Sequence, residues 1–329
     1  MTSTAADPDI ADPDIAVPGI RRPRLRADHP LLRRDDGQLQ LGLGEHAVLL
    51  GPVSAELIAW LRRFDGAHEW CRLQELAAAL AVEPARAHRL VHRIAAAGAL
   101  DDAAAMPDSL RWRDRRERED MAGDIAAAGF AYGSSATANL VVERRLRVRI
   151  AVDGSGLLAQ AVREAVDASG MLSTCEEDAD LLIRTVSHPA LADPEATGAH
   201  LPVSVFGDAG TAGPIVIPGR TGCLRCLHLH RRDADPSWPL LVLQLEQAAG
   251  RMDPLPVDRL LARATATAAV LLVRRWADDP LAPESWAGQV LEVHLPDAAI
   301  IRRPAPPHAL CGCIWPVDRA RTGSLEQIG

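Results

Sequence analysis

The sequence contains no lysine. All 36 of its basic residues are arginine, set against 44 aspartates and glutamates in 329 residues. A mechanism that needs a Schiff-base, phosphate-loop or general-base lysine is therefore excluded. A positive surplus is lacking too: the net charge of -8 argues against a surface given over to nucleic acid. No apolar run is long enough to span a membrane, and the Asp/Pro-rich start is not the basic-then-apolar pattern of a secretory signal. Aromatic residues make up only 3% of the chain. These absences leave a cytoplasmic protein as the expectation.

What is present is ordinary for a chain with a real core. Hydrophobic residues account for 48% and charged residues for 24%, and the length suits about two domains. Residues 1–24 carry a direct repeat, "ADPDIADPDI", followed by Pro/Arg-rich sequence, and read as a disordered tail. Over 25–105 a hairpin is expected from Leu31 to Leu43, with a third strand at "HAVLL" (46–50). Three helices should follow. The first buries Leu57, Ile58 and Leu61. The second buries Leu73, Leu76, Ala77 and Leu80. The third, with Pro84 in its first turn, buries Leu90, Val91 and Ile94. Three short strands with a helix–turn–helix predict a small winged-helix module. Residues 106–145 combine a mixed-charge run, "SLRWRDRRERED", expected as a solvated helix, with a small-residue stretch that reads as a linker.

From Leu146 the pattern becomes α/β. Strands are expected at 146–152, 178–186 and 200–207, with a Gly turn and a helix after the first. That order predicts a parallel, doubly wound sheet. Further helices are expected at 237–249 and 256–277, and "GQVLEVHL" and "AAIIRRP" form a closing hairpin.

Four of the six cysteines are paired: Cys223 and Cys226 in "GRTGCLRC", and Cys311 and Cys313 in "ALCGCIW". Two short pairs supply two edges of a tetrahedron, the arrangement a structural zinc ion takes with four thiolates. A thioredoxin-like pair would need a strand–CxxC–helix context, which Pro218 and Arg220 do not provide. His228, His230 and His308 are spare ligands, expected to act as surface groups or supports. Cys71 and Cys175 are expected in the core. Trp238, Trp276, Trp286 and Trp315 are expected as packing anchors. In "VDGSGLLA", Gly154 and Gly156 form a GxG turn between strand and helix, a dinucleotide-type corner. No acid stands where ribose recognition would want one.

Taken together, "VRIAVDGSGLLAQAVREAVDASG", "ADLLIRTVSH", "LPVSVFGDAGTAGPIVIPGRTGCLRCL" and the terminal cysteine pair resemble the ThiF/MoeB (E1-like) superfamily over 146–329. They are similar in particular to the degenerate E1-like proteins that accompany YcaO cyclodehydratases in azole peptide pathways. The resemblance implies a Rossmann-like domain with a zinc site, preceded by a winged-helix domain that binds a precursor's leader peptide. It also implies a YcaO-type or other modifying enzyme as partner, and a homodimer. In active family members the strand resembling "ADLLIRTVSH" ends in an Asp that helps hold Mg²⁺ and ATP. Ser187 stands there in this chain and His188 follows. Only 22 residues (157–178) lie between Gly156 and Ala179, where active members carry a longer insertion with a ribose-binding acid, an Arg and a Lys. ATP binding and adenylation by this chain alone are therefore not expected.

The third helix carries Arg86, Arg89 and Arg93 along one face. DNA binding would need a local positive surplus, yet 25–102 holds nine arginines against eleven aspartates and glutamates. A peptide fits better. An extended segment could add to the edge of "QLQLGL" or "HAVLL", with the arginines meeting its acidic residues. The expected function is capture of a ribosomally made precursor and its presentation to a modifying enzyme. An ATP-dependent adenylyltransferase acting on a carboxylate and a winged-helix DNA-binding regulator are the alternatives.

Overall fold

The structure, a computed structural model, describes residues 20–44, 47–132, 135–194, 196–249, 256–279 and 286–314. Most of the expected tail (1–19) and Trp315 lie outside the described residues. The chain divides into two compact units, Met1–Glu143 and Arg144–Gly329.

In the first unit β1 (Pro23–Leu25) pairs antiparallel with β5 (Leu100–Asp102). A separate antiparallel sheet orders β2 (Leu31–Arg33), β3 (Gln38–Leu41) and β4 (Val48–Pro52). The alternation of Leu39 and Leu41 with two glutamines sends both leucines into the core, where they are almost fully buried. Three helices cover that face: α1 (Ala55–Leu61), α2 (Trp70–Ala79) and α3 (Pro84–Ala96). Ser54 caps α1 by accepting from the Leu57 N–H (3.3 Å), and Pro84 opens α3 where no N–H is needed. The residues expected to be buried on α1 and α3 are buried. On α2, Leu73 and Ala77 are buried while Leu76 and Leu80 pack at the margin. Trp60 sits at the centre, and its indole N–H donates to the Leu73 carbonyl (2.7 Å).

The stretch read as a linker is helical instead. α4 (Arg115–Tyr132) and α5 (Ser135–Arg145) run through it. Small residues look featureless in sequence, but Ala is the best helix former, and here Ala128, Ala138, Val141 and Val142 are buried.

The second unit is built on a seven-stranded mixed sheet. Its strands are β6 (Arg149–Asp153), β7 (Leu172–Ser173), β8 (Leu181–Val186), β9 (His200–Phe206), β10 (Ala209–Ala212), β11 (Gln289–His294) and β12 (Ala299–Pro304). The spatial order is β12-β11-β10-β9-β8-β6-β7. The expectation of a parallel sheet holds only for β7, β6, β8 and β9; the remaining pairings are antiparallel. The physical reason is the tight Gly207–Asp208 turn, which returns the chain beside β9 with no crossover helix. Of the helices α6 (Gly156–Ala168), α7 (Leu224–Ala234), α8 (Trp238–Ala249) and α9 (Arg259–Asp278), α6 and α9 pack on one face, setting Val162, Ala266 and Val273 against Leu201 and Val203. α9 crosses so close to β10 that a Cβ on Gly210 would lie 1.8 Å from the Thr265 hydroxyl. Trp286 fills this core, and Trp276 packs at its edge. Cys71 and Cys175, expected in the core, are both exposed. Cys71 is on the exposed side of α2, and Cys175 is in the segment between β7 and β8.

One buried ion pair ties the last turn of α5 to the end of α9. The Arg145 guanidinium grips both carboxylate oxygens of Asp278, the Nη2–Oδ2 bond being 2.6 Å, with both side chains about 95% hidden. An acid in the last turn opposes the helix dipole, so the arginine offsets that field as well. Asp278→Ala would strand a buried guanidinium, and urea unfolding should show a loss of about 3–5 kcal/mol. The double change Arg145→Met with Asp278→Leu should recover much of it.

Candidate functional site

The two cysteine pairs, far apart in sequence, meet in space. Thr221 starts the convergence: its buried hydroxyl accepts from the Ile217 N–H (2.8 Å) and bonds the Ile215 carbonyl (3.1 Å), which fixes the turn before the first pair. Cys223 then stands immediately before α7 (Leu224–Ala234), and Cys226 lies in its first turn. After β12 the chain returns across this turn, and the Pro306–Pro307 backbone passes where a side chain on Gly222 would be, 3.1–3.3 Å from its Cβ position. Gly312, at φ +74°, makes the bend that aims both Cys311 and Cys313 inward.

All four sulfurs lie within 4.8 Å of one another. Cys223–Cys226 is 3.9 Å, Cys223–Cys311 3.5 Å and Cys226–Cys313 3.4 Å. Those separations are too long for a disulfide, and all the cysteines are free. A tetrahedron with zinc–sulfur bonds of about 2.3 Å has edges of about 3.8 Å. The donor set therefore fits one metal ion of that kind. Burial and the neighbouring Cys223 sulfur push the Cys311 thiol up to about 11, and burial raises Cys313 as well. Four crowded thiolates need a cation among them, so metal binding must expel protons.

None of the three nearby histidines joins the sulfur cluster. His308 organises the loop that carries the second pair. Its side chain is 8% exposed and meets the Asp233 carboxylate through Nε2 (2.8 Å). Its Nδ1 accepts from the Leu310 N–H (3.1 Å), and its carbonyl accepts from the Cys311 N–H (3.0 Å). His230 packs edge-on against it, 4.7 Å between ring centres. His228 accepts instead from the Trp238 indole N–H (3.2 Å). The sequence carried no sign of the Asp233–His308 pair, whose partners are 75 residues apart.

The glycine corner has a structural explanation. Gly154 sits at φ +116°, and a Cβ there would fall 1.9 Å from the Thr185 hydroxyl of β8. Thr185 donates to the Asp153 carbonyl (3.1 Å), while Arg163 of α6 donates to the carbonyls of Val152 (3.1 Å) and Gly154 (2.8 Å). Gly156 faces open space. Beyond β8 stand Ser187 and His188. The His188 Nδ1 accepts from the Ala190 N–H, and its ring meets Phe206 edge-on. These two residues supply no carboxylate for a magnesium-bound nucleotide.

In the first unit Arg86, Arg89 and Arg93 do line one feature. Together with Leu50, Val53, Leu57 and Leu90 they border a cavity of about 320 Å³ between β4 and α3. Arg86 donates to the Pro52 carbonyl (3.0 Å), and Arg89 stands 4.0 Å from Glu83. Of the two strand edges expected to be open, β3 is closed: it pairs with β2 on one side and β4 on the other. β4 pairs with β3 alone among the described residues.

The chain is similar in fold to the heterocyclase TruD and to MccB. A heterocyclase solved in complex with substrate and cofactor matches with a TM-score of 0.63 at 18% identity, over 89% of this chain and 39% of that one. TruD matches with 0.63 at 17%, over 89% and 43%. MccB of E. coli, solved with succinimide, matches with 0.58 at 11%, over 89% and 98%. This chain thus spans about two fifths of the heterocyclases' length and nearly all of MccB's. No protein-family model and no curated protein matches the sequence. At identities of 11–18%, what these comparisons establish is a shared fold.

Metal analysis of purified protein should return about one zinc per chain, and Cys226→Ser should reduce that to near zero. His308→Ala should retain the four ligands yet lose zinc to a chelator about tenfold faster, because the loop presenting Cys311 is no longer held.

Proposed function

We propose that this chain is the peptide-capturing, catalytically degenerate E1-like component of a ribosomal-peptide modification system. In this reading residues 25–105 form a winged-helix recognition domain, and residues 146–329 form an E1-like domain held by a four-cysteine zinc site. The single observation that carries the proposal is the groove between β4 and α3. Its floor is apolar, its rim bears Arg86, Arg89 and Arg93, and one wall is a strand with an unpaired edge among the described residues. An extended peptide can add backbone hydrogen bonds to that edge, place apolar side chains on Leu50, Leu57 and Leu90, and meet the guanidiniums with its carboxylates. MccB has been solved in complex with N-formylated MccA and a heterocyclase with its substrate, which supports a peptide as the ligand class here.

The partner would be a modifying enzyme of YcaO or related type, with this chain as a homodimer. The comparison heterocyclases are more than twice this chain's length, so a separate partner could supply what the additional length does there. Among the described residues no helix is long and apolar enough to cross a membrane.

Fluorescence anisotropy with a labelled precursor peptide encoded beside this gene tests the proposal. Saturable binding is expected, and Arg89→Glu with Arg93→Glu should weaken it at least tenfold. Failure of all neighbouring precursors to bind would remove the proposal. MccB has also been solved with ATP. The corner described above, with Arg163 on its carbonyls and Ser187 at the strand end, supports the opposite for this chain. ATP–pyrophosphate exchange with Mg²⁺ and the bound peptide is expected to be absent.

A further inference from the structure

A second cavity, of about 260 Å³, lies in the other unit, between α7 and the antiparallel half of the sheet. Its floor is a row of side chains pointing away from α9: Ser204 of β9, Thr211 of β10 and Glu292 of β11, with Arg303 of β12 at the margin. Its roof is Leu227 and Arg231 of α7.

Arg231 is unusual among the arginines of this chain. It is mostly removed from water, and burial pulls it below the usual guanidinium range. It forms no ion pair among the described residues. Its guanidinium lies over the Trp238 ring instead, 4.8 Å from the centroid. A guanidinium stacked this way is held by its face, which leaves its N–H edge free for a planar acceptor. Glu292 attracts that guanidinium but forms no ion pair with it among the described residues, and its Oε2 is held by Arg303 and His294 at 3.1 Å each. The cavity thus contains two guanidiniums and one carboxylate, a single uncompensated positive charge beside two hydroxyls and an apolar wall.

We infer that this cavity binds a small carboxylic acid, its carboxylate on the free edge of Arg231 and its hydrocarbon body against Leu227. The volume suits a molecule of modest size, since pockets for drug-sized ligands begin at about 300 Å³. One uncompensated charge matches a monoanion, whereas a phosphate dianion would be undercompensated there. Bidentate guanidinium–carboxylate pairing out of water gives direction as well as affinity. The inference does not rest on peptide presentation, because the groove of the first unit and this cavity share no residue.

The same carboxylate could belong to a free acid or to a peptide's C-terminus, and the test separates the two. Ligand-observed NMR on the zinc-loaded full chain would use hexanoate, its amide hexanamide, inorganic phosphate, and a pentapeptide with a free or amidated C-terminus. Saturable binding of hexanoate is expected, with hexanamide at least tenfold weaker. Arg231→Gln should weaken hexanoate at least tenfold, and Arg89→Gln should leave it unchanged. Glu292→Gln, which removes a negative charge beside the ligand, should tighten it several-fold and keeps the test open should Arg231→Gln fail to fold. Binding of the free-ended pentapeptide but not hexanoate would overturn the free-acid assignment. Equal binding of hexanoate and hexanamide, tighter binding of phosphate, or affinity indifferent to both variants would overturn the site.

Discussion

The meeting of four sulfurs from two distant cysteine pairs is the constraint on which the second unit depends. It joins the start of α7 to the segment that follows β12, so the helix over the antiparallel half of the sheet is clamped to the last strand beneath it. Without a cation, four thiolates at these separations would repel one another, and burial and the hydrogen bonds among the sulfurs hold the Cys311 and Cys313 thiols above their ordinary range. With one, the repulsion becomes coordination, worth about 10–16 kcal/mol in small zinc domains near neutral pH. The loop around His308 forms an organised cradle for it: Asp233, the Leu310 N–H and the Cys311 N–H are each satisfied by that one residue.

The same clamp bears on the cavity beneath α7. Arg231 follows Cys226 on one helix, and Arg303 lies on the strand that leads to Cys311. Loss of the metal would release roof and floor from each other. The glycine corner illustrates the opposite relation between motif and chemistry. Its first glycine is required because Thr185 occupies the space a Cβ would take, and the corner's carbonyls are engaged by Arg163. A GxG turn here follows from close packing of β8 against β6, whether or not a phosphate ever binds.

The first unit reaches its groove by simpler means. Period-two leucines place β3 in the middle of a small sheet, and period-3.6 apolar positions bury one face of α3. The positions left over on that helix, spaced by three and four, put three arginines in line beside β4. Residues 25–102 hold nine arginines against eleven aspartates and glutamates, so the three arginines form a local rim and not a broad basic face.

Periodicity and cysteine spacing were enough to locate α1, α2, α3, α6 and α9, the strands β2, β3, β4, β6, β8, β9, β11 and β12, and the two cysteine pairs, but not β1, β5, β7, β10 or α7. Those features depend on local geometry, which neighbouring residues specify directly. The charged first half of α4 was expected as a helix, while its continuation and α5 were read as a linker because small residues carry no periodic signal until their burial is known. The exposure of Cys71 and Cys175, the closed edge of β3, the switch from parallel to antiparallel pairing, and the Asp233–His308 and Arg231–Trp238 contacts were decided by the tertiary structure alone. Each depends on which element lies across from which, a relation between residues far apart along the chain that only packing and sheet order determine.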